Sequence, residues 1–350
     1  MKIVIAAGGT AGHVVPAIAV ADALRAEGAE VVFVGGERAE AELVPSAGYV
    51  LETIRVEGIS RSNPFKAARA LAKAVASLRT ARAILRRHRP AAVLGGGGYV
   101  AGPVGLAAVA GRVPLVLAEA DSHLGLTNRL LAPWARRVCL AFPLEGRHGD
   151  RFRVTGRPVP ATVTDRAGAR AELGIAPDEL CVLVFGGSIG ARSINEAALG
   201  AFADAPFAVL HVAGRRDFAS LSAPGSHYKL FEYVTPFGPA LAAADLGVAR
   251  AGGSIFELAQ YGLPAVLVPG PWATADHQTT NARWMERAGA AVVIPDAELT
   301  AQRLARTVGE IVGDHARLSQ MAAASLALAR PRAAHDIARE VLDAARSRPA

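Results

Sequence analysis

The chain has 350 residues, of which 51% are hydrophobic and 20% charged, with a formal net charge of +7; this apolar fraction excludes intrinsic disorder as the main state, and the length exceeds what one core usually supports, so two domains are expected. No apolar run reaches the ~18 residues of a membrane-spanning helix, and the opening MKIVIAAGGT lacks signal-peptide anatomy. The two cysteines, Cys139 and Cys181, are far apart and outside any CxxC, which argues against a disulfide scaffold or a structural zinc site and points to a soluble, reduced, cytoplasmic α/β protein.

In chain order, Lys2–Ala7 is an apolar strand running into Gly8-Gly9-Thr10, and a helix is expected over Val14–Ala26. Glu30–Val34 is a second strand ending in Gly35-Gly36. Ser60–Pro90, rich in Ala and Leu, is expected to be mostly helical. Ala91–Leu94 runs into GGGGYVAGP, and Val113–Leu117 into AEADSHLGLTN. The stretch TGRPVPATVTDRAGARAELGIAPDE, rich in Pro, Gly and polar residues, fits an interdomain connection. The pattern then restarts: Leu180–Phe185 leads into GGSIGARSINEAALGAF, as Ile3–Ala6 leads into GGTAGHVVPAIAVADAL. Alternation of strand, glycine loop and helix implies two Rossmann-like, doubly wound parallel-sheet domains facing a cleft, over 1–160 and 161–332. A helix over Ala333–Ala345 is expected to fold back on the first domain.

Charge divides unevenly between these halves. Residues 1–160 hold 21 Lys and Arg against 12 Asp and Glu, whereas 161–350 hold 17 against 19. Ser60–Pro90 alone has nine basic residues (Arg61, Lys66, Arg69, Lys73, Arg79, Arg82, Arg86, Arg87 and Arg89) and no acidic one. Leu71, Val75, Leu78 and Leu85 form a stripe at helical spacing. The segment reads either as a solvated helix packed on a sheet or as a docking surface for anionic membrane. Nucleic acid is not expected as a partner, because Phe65 is the segment's one aromatic and no stacking platform exists.

A parallel sheet binds ligands at the carboxyl ends of its strands, where glycines let backbone approach a phosphate and the following helix offers N–H groups. Gly8-Gly9, Gly95–Gly98, Gly186-Gly187 and Gly252-Gly253 all stand at such ends, which suggests a ligand rich in phosphate or hydroxyl groups. A nicotinamide site would want GxGxxG and an acid after the second strand. Glu37 could be that acid, but GGTAGHVVP and GGSIGARSIN both miss the third glycine, and a Walker A loop is absent.

GGTAGHVVP, GGGGYVAGP and GGSIGAR resemble the three glycine loops of the MurG family, the transferases that add N-acetylglucosamine to lipid I to make lipid II in peptidoglycan synthesis. The similarity continues through GLTNRLLAPWARRV, VTPFGPALAAADL, RAGGSIFELAQYGLPAVLVP and DHQTTNARWMERAGAA. It implies a GT-B fold, with the UDP-sugar donor on the C-terminal domain and the acceptor and membrane-associating surface on the N-terminal one. UDP-N-acetylglucosamine and lipid I are the implied partners, with no cofactor and no metal. A peripheral place on the cytoplasmic face of the cell membrane and association with other cell-wall enzymes are implied too. The family's His-Glu-Gln-Asn reads Ala118-Glu119-Ala120-Asp121 here, Ile189 replaces a Gln, and Pro160 replaces an Arg. Within the fold, the competing readings are a glycolipid or natural-product glycosyltransferase and a UDP-sugar 2-epimerase. Outside enzymes, the alternative is a membrane-surface adaptor.

An inverting sugar transfer needs a base, a site for the leaving diphosphate, and recognition of sugar and nucleobase. His13 follows Gly12 at the mouth of the first loop, and an ordinary pKa of ~6.5 suits it as base; capping the helix or binding an acceptor phosphate are its alternatives. Glu119 would orient His13 or act as base itself, with Asp121 and His123 behind it. The chain has no Asp-x-Asp, so helix N-termini and an arginine must meet the diphosphate without a metal. Ser188 with Gly187 and Gly190 is the expected phosphate cradle, and Arg250 a second donor. Glu257, one turn into a helix, matches the family's ribose-binding glutamate. Gln278 and Asn281, three apart, can share one helix face, and the Gln matches one that contacts the donor sugar. Phe237 and Gly238 lie where the family holds uracil through backbone. Thr10, Gly12, Tyr99 and Asn128 match positions near the acceptor.

Overall fold

The structure is a computed structural model that describes residues 1–55, 64–187, 189–271 and 276–347, the side chains of 64–75 excepted. The chain divides into two compact units, Met1–Val159 with Arg330–Ala350, and Pro160–Ala329.

The first unit alternates strand and helix: β1 (Lys2–Ala6), α1 (Ala11–Ala26), β2 (Glu30–Gly35), α2 (Ala39–Ser46), β3 (Val50–Thr53), α3 (Pro64–His88), β4 (Ala92–Gly95), α4 (Ala101–Ala110), β5 (Leu115–Glu119), α5 (Leu126–Leu131), β6 (Arg137–Leu140) and β7 (Phe152–Val154). All pairings are parallel, in the order β3-β2-β1-β4-β5-β6-β7. Successive strand side chains point to opposite faces. Ile3 and Ile5 therefore enter a core completed by α1 and α2, while Val4 and Ala6 enter one completed by α3, α4 and α5. The basic segment folds as α3, with Ala81, Ile84 and Leu85 on its buried side and Arg79, Arg82 and Arg86 exposed. Leu71 and Val75 of the expected stripe lie outside the described side chains.

The second unit contains α6 (Arg166–Glu172), β8 (Cys181–Phe185), α7 (Arg192–Ala201), β9 (Ala208–Val212), β10 (Tyr228–Phe231), α8 (Gly238–Ala243), β11 (Leu246–Ala249), α9 (Ser254–Gln260), β12 (Ala265–Leu267), α10 (His277–Arg287), β13 (Ala291–Val293), α11 (Ala301–Val312) and α12 (His315–Ala327). Its sheet is parallel in the order β10-β9-β8-β11-β12-β13. The chain then returns to the first unit as α13 (Ala333–Arg346). There Ile337, Val341 and Leu342 bury against the α1 side of the core, each contributing about 1.5–3 kcal/mol, and Arg137 pairs with Glu340 at 3.0 Å.

The expected connection over 155–179 is not all loop, because α6 forms within it. Asp165 caps that helix by accepting from Gly168 N at 2.8 Å. Arg166 and Arg170 then clamp it to Asp245 at 2.6 and 2.8 Å.

In each sheet the strand order reverses at one place, between β1 and β4 and between β8 and β11. A doubly wound sheet opens a crevice at the carboxyl end of such a switch point. The glycine loops of the sequence follow these four strands.

Candidate active site

In the first unit, α1 starts after Gly9, whose φ of +108° turns the chain out of β1. Thr10 is the N-cap residue, yet its hydroxyl caps no backbone amide and instead lies 3.2 Å from His13 Nδ1. With Nδ1 held there, Nε2 is the ring nitrogen left for a ligand. Gly97 (φ +98°) makes room for the ring, since a Cβ there would fall 2.6 Å from His13 Cδ2. Pro16 lacks the N–H that would bond Gly12 O within the helix, and that carbonyl accepts from Arg157 Nη2 at 2.6 Å. His13 is held below the ordinary imidazole pKa by burial first and by the Arg157 charge second, against an upward pull from Asp121. Its neutral form therefore prevails near pH 7, as a base requires.

Glu119 has a different setting from the one expected. Its carboxylate accepts from Asp121 N at 3.1 Å, Gly125 N at 2.8 Å and Asn128 Nδ2 at 2.9 Å, and so shapes the loop after β5. Burial raises its pKa despite those bonds. It makes no hydrogen bond to His13, whose partner is Thr10. The two share the wall of a cavity of about 30 Å³ with Arg157, Ala118 and Cys139, room for roughly one water. Asn128 and Tyr99 likewise have protein partners. Asn128 is 4% exposed and donates to Ala118 O and Glu119, and the Tyr99 hydroxyl donates to Glu40 at 3.0 Å.

In the second unit, Gly187 (φ +93°) and Gly190 (φ +88°) bracket Ser188, which lies outside the described residues. Gly190 N donates to Gly187 O at 3.0 Å, closing the turn ahead of α7. A Cβ on Gly190 would fall 2.0 Å from Ala213 O, whereas one on Gly187 would meet nothing within 4 Å. Ile189 at the tip is 65% exposed.

Arg250, the second candidate for the diphosphate, is engaged by protein atoms. Its Nη1 donates to Asp296 Oδ1 at 2.6 Å and to Val268 O and Pro269 O at 3.1 and 3.2 Å, and its Nη2 to Ser193 Oγ at 2.9 Å. It braces the ends of β11 and β12 against α7. Gln278 and Asn281 also part company. Gln278 Oε1 accepts from Gly270 N at 2.8 Å, with Nε2 making no hydrogen bond among the described residues, while Asn281 is 2% exposed and donates to Ala251 O at 3.0 Å. Glu257 is half-buried in the first turn of α9, and Gly238 opens α8 where a Cβ would crowd Val163 and Tyr261.

Sequence reasoning missed two further groups. Glu40 joins the loops after β1, β2 and β4; the pair Gly35-Gly36 followed by an acid in a helix's first turn was its only signal. In the second unit, Asn195 donates to Ala213 O and Asp217 and accepts from His211, whose other nitrogen meets the Tyr228 hydroxyl at 2.7 Å. Burial lowers His211 to about 4, so it is a neutral structural link behind the Gly190 turn. Interior strand residues carry no motif that announces such a chain.

A model of the glycosyltransferase family 28 N-terminal domain matches residues 3–140, and one of the family 28 C-terminal domain matches residues 181–337. A relative from Moorella thermoacetica, named UDP-N-acetylglucosamine–N-acetylmuramyl-(pentapeptide) pyrophosphoryl-undecaprenol N-acetylglucosamine transferase, is 42% identical over 98% of both chains. One of the same name from Halothermothrix orenii is 35% identical over 99% of this chain and 100% of its own. Among solved structures, Acinetobacter baumannii MurG superposes with a TM-score of 0.80 at 28% identity, over 98% of this chain and 100% of that one. A calicheamicin glycosyltransferase reaches 0.72 at 20% identity over 99% of both chains, a likeness of fold alone.

Proposed function

The chain belongs to the MurG family of family 28 glycosyltransferases, and on that premise we propose that it transfers N-acetylglucosamine from UDP-N-acetylglucosamine to the N-acetylmuramyl hydroxyl of lipid I, giving lipid II. The observation that carries this reading is the end-to-end identity with transferases of that name. Glycine turns at both switch points give it a physical basis. The first unit takes the acceptor and the second takes the donor.

The acceptor hydroxyl oxygen attacks the anomeric carbon from the face opposite the diphosphate. His13 Nε2 takes the hydroxyl proton, with Nδ1–H directed at Thr10. The anomeric carbon–oxygen bond breaks with its electrons going to UDP, and the configuration inverts. The turn Gly187–Gly190 and the amides opening α7 meet the leaving charge. Arg250 serves this turn through Ser193 rather than by touching phosphate. Glu257 accepts the ribose hydroxyls, backbone near Gly238 holds the uracil, and Gln278 Nε2 reaches the sugar. Thr10, Gly12 and the Tyr99 loop face the acceptor diphosphate.

The test is label transfer from UDP-N-acetylglucosamine to a lipid I analogue with EDTA present. Transfer is expected to persist; UDP binding without transfer would retain the fold and discard the acceptor. The acid limb of the pH–rate profile should report neutral His13, with the rate falling as pH drops through a pKa below the ordinary imidazole value. Because the Arg157 charge helps hold that pKa down, Arg157→Gln is expected to move the limb to higher pH. An unmoved limb would remove His13 as the titrating base.

No helix among the described residues is long and apolar enough to cross a membrane. We place the enzyme peripherally on the cytoplasmic face, alongside other cell-wall enzymes. Leu126 and Leu130 stand one turn apart on α5 and are 53% and 60% exposed, and Trp134 follows at the same spacing, 61% exposed. With exposed arginines of α3 on the same unit, this suits an anionic bilayer. Binding to anionic liposomes is expected to weaken as salt rises from 0.05 to 0.5 M, roughly the range over which the Debye length falls well below 10 Å. Salt-independent binding would discard the electrostatic part.

A further inference from the structure

Three separate connections of the first unit meet on one carboxylate. Glu40 lies in the first turn of α2 with 0% of its surface exposed. Its Oε2 accepts from Gly9 N at 2.8 Å, and its Oε1 accepts from Gly36 N at 2.8 Å and from the Tyr99 hydroxyl at 3.0 Å. A carboxylate removed from water is costly unless its lone pairs are met, and these donors meet them. Burial alone would raise its pKa, but the bonds from Gly9, Gly36 and Tyr99, together with its own amide, hold the carboxyl below the usual range.

The surrounding glycines are fitted to this clasp. A Cβ on Gly8 would fall 2.7 Å from Glu40 Oε1, and one on Gly36 would fall 2.2 Å from the Tyr99 hydroxyl oxygen and 2.9 Å from Oε1. Those glycines therefore admit Glu40 and Tyr99 as much as they admit any ligand. The Arg38 guanidinium lies 5.2 Å from the Tyr99 ring centroid and covers it. Gly9 immediately precedes Thr10, and Thr10 holds His13 Nδ1. The chain of contacts from the carboxylate to the base is thus short and continuous.

We propose that Glu40 is a positioning residue for acceptor binding: it fixes the Gly9–His13 turn and the turn ending at Tyr99 in register with each other, so that the base and the loop amides face one acceptor together. Glu40 touches no reacting atom. The assignment rests on the acceptor role given above to the first unit.

Glu40→Gln keeps the shape but offers one acceptor oxygen in place of two, so a buried amide at Gly9 or Gly36 loses its partner. The KM for a lipid I analogue is expected to rise about tenfold, with the KM for UDP-N-acetylglucosamine changed by less than about twofold. Hydrogen exchange should quicken over residues 7–13 and 96–100 and stay unchanged in the second unit. Tyr99→Phe removes one bond of the clasp without burying a new polar group, and should shift the acceptor KM in the same direction by a smaller factor. A fall in kcat with both KM values unchanged and the fraction of folded enzyme lowered to match would overturn the proposal, since it would report fewer folded molecules. Unaltered exchange over residues 7–13 would overturn it as well. If the unaltered enzyme transfers nothing to this acceptor, the functional reading fails, and the exchange result by itself upholds or overturns the clasp.

Discussion

His13→Ala is expected to lower the rate of sugar transfer by about 10²- to 10⁴-fold, the range of a lost general base, while UDP binding is unchanged. His13 sits on the first unit and the proposed donor groups sit on the second, so the two measurements separate cleanly. The ring is preorganised: Thr10 takes Nδ1, Gly97 leaves space beside Cδ2, and burial with the Arg157 charge keeps the imidazole neutral. Alanine removes the proton acceptor without filling that space. A loss under about tenfold would assign the base elsewhere, and Glu119, whose pKa burial raises, would be next in line.

The second large effect separates two glycines of one turn. Both Gly187 and Gly190 have positive φ, so alanine at either costs about 1–2 kcal/mol in backbone strain. At Gly187 nothing more is expected, because a Cβ there meets open space. At Gly190 the Cβ would sit 2.0 Å from Ala213 O, and backbone must move. That carbonyl also accepts from Asn195, which is tied to His211 and Asp217. Gly190→Ala is therefore expected to cost about 4 kcal/mol or more. It should lower Tm by about 10 °C and abolish measurable UDP binding, while Gly187→Ala should move Tm by less than about 5 °C. Equal losses in the two variants would show that the close approach to Ala213 carries no weight.

The parallel sheets were legible because apolar runs of four to six residues alternate with glycines and alanine-rich helices. The short elements were not. β3 and β7 are strands of only four and three residues, with no fully buried residue, at the two edges of the sheet. α6 hid in a Pro- and Gly-rich stretch because its stability comes from Arg166 and Arg170 on Asp245, a partner far along the chain. At the candidate site, the turns at Gly9, Gly97, Gly187 and Gly190, all at positive φ, could be read from spacing, since spacing determines backbone shape. What spacing could not show is where polar side chains point. Arg250, Tyr99 and Asn128 each carry groups suited to ligands, yet the Arg250 guanidinium, the Tyr99 hydroxyl and the Asn128 Nδ2 each bond neighbouring protein atoms. Glu40 and Asn195 do the converse, holding binding turns without belonging to any motif.

The position of α13 bears on how the protein is made. Synthesis proceeds from the N-terminus, and domains usually fold as they emerge. Here the α1 side of the first core is closed by Ile337, Val341 and Leu342, which are translated after the whole of the second unit. The second unit, unbroken in sequence, needs nothing translated after residue 329 to close its core. The unit translated first must wait, with the apolar faces of α1 and its strands uncovered, until nearly all the chain has emerged. A released chain truncated after residue 329 should therefore hold a protease-resistant second unit and a protease-sensitive first one, although the first is translated earlier.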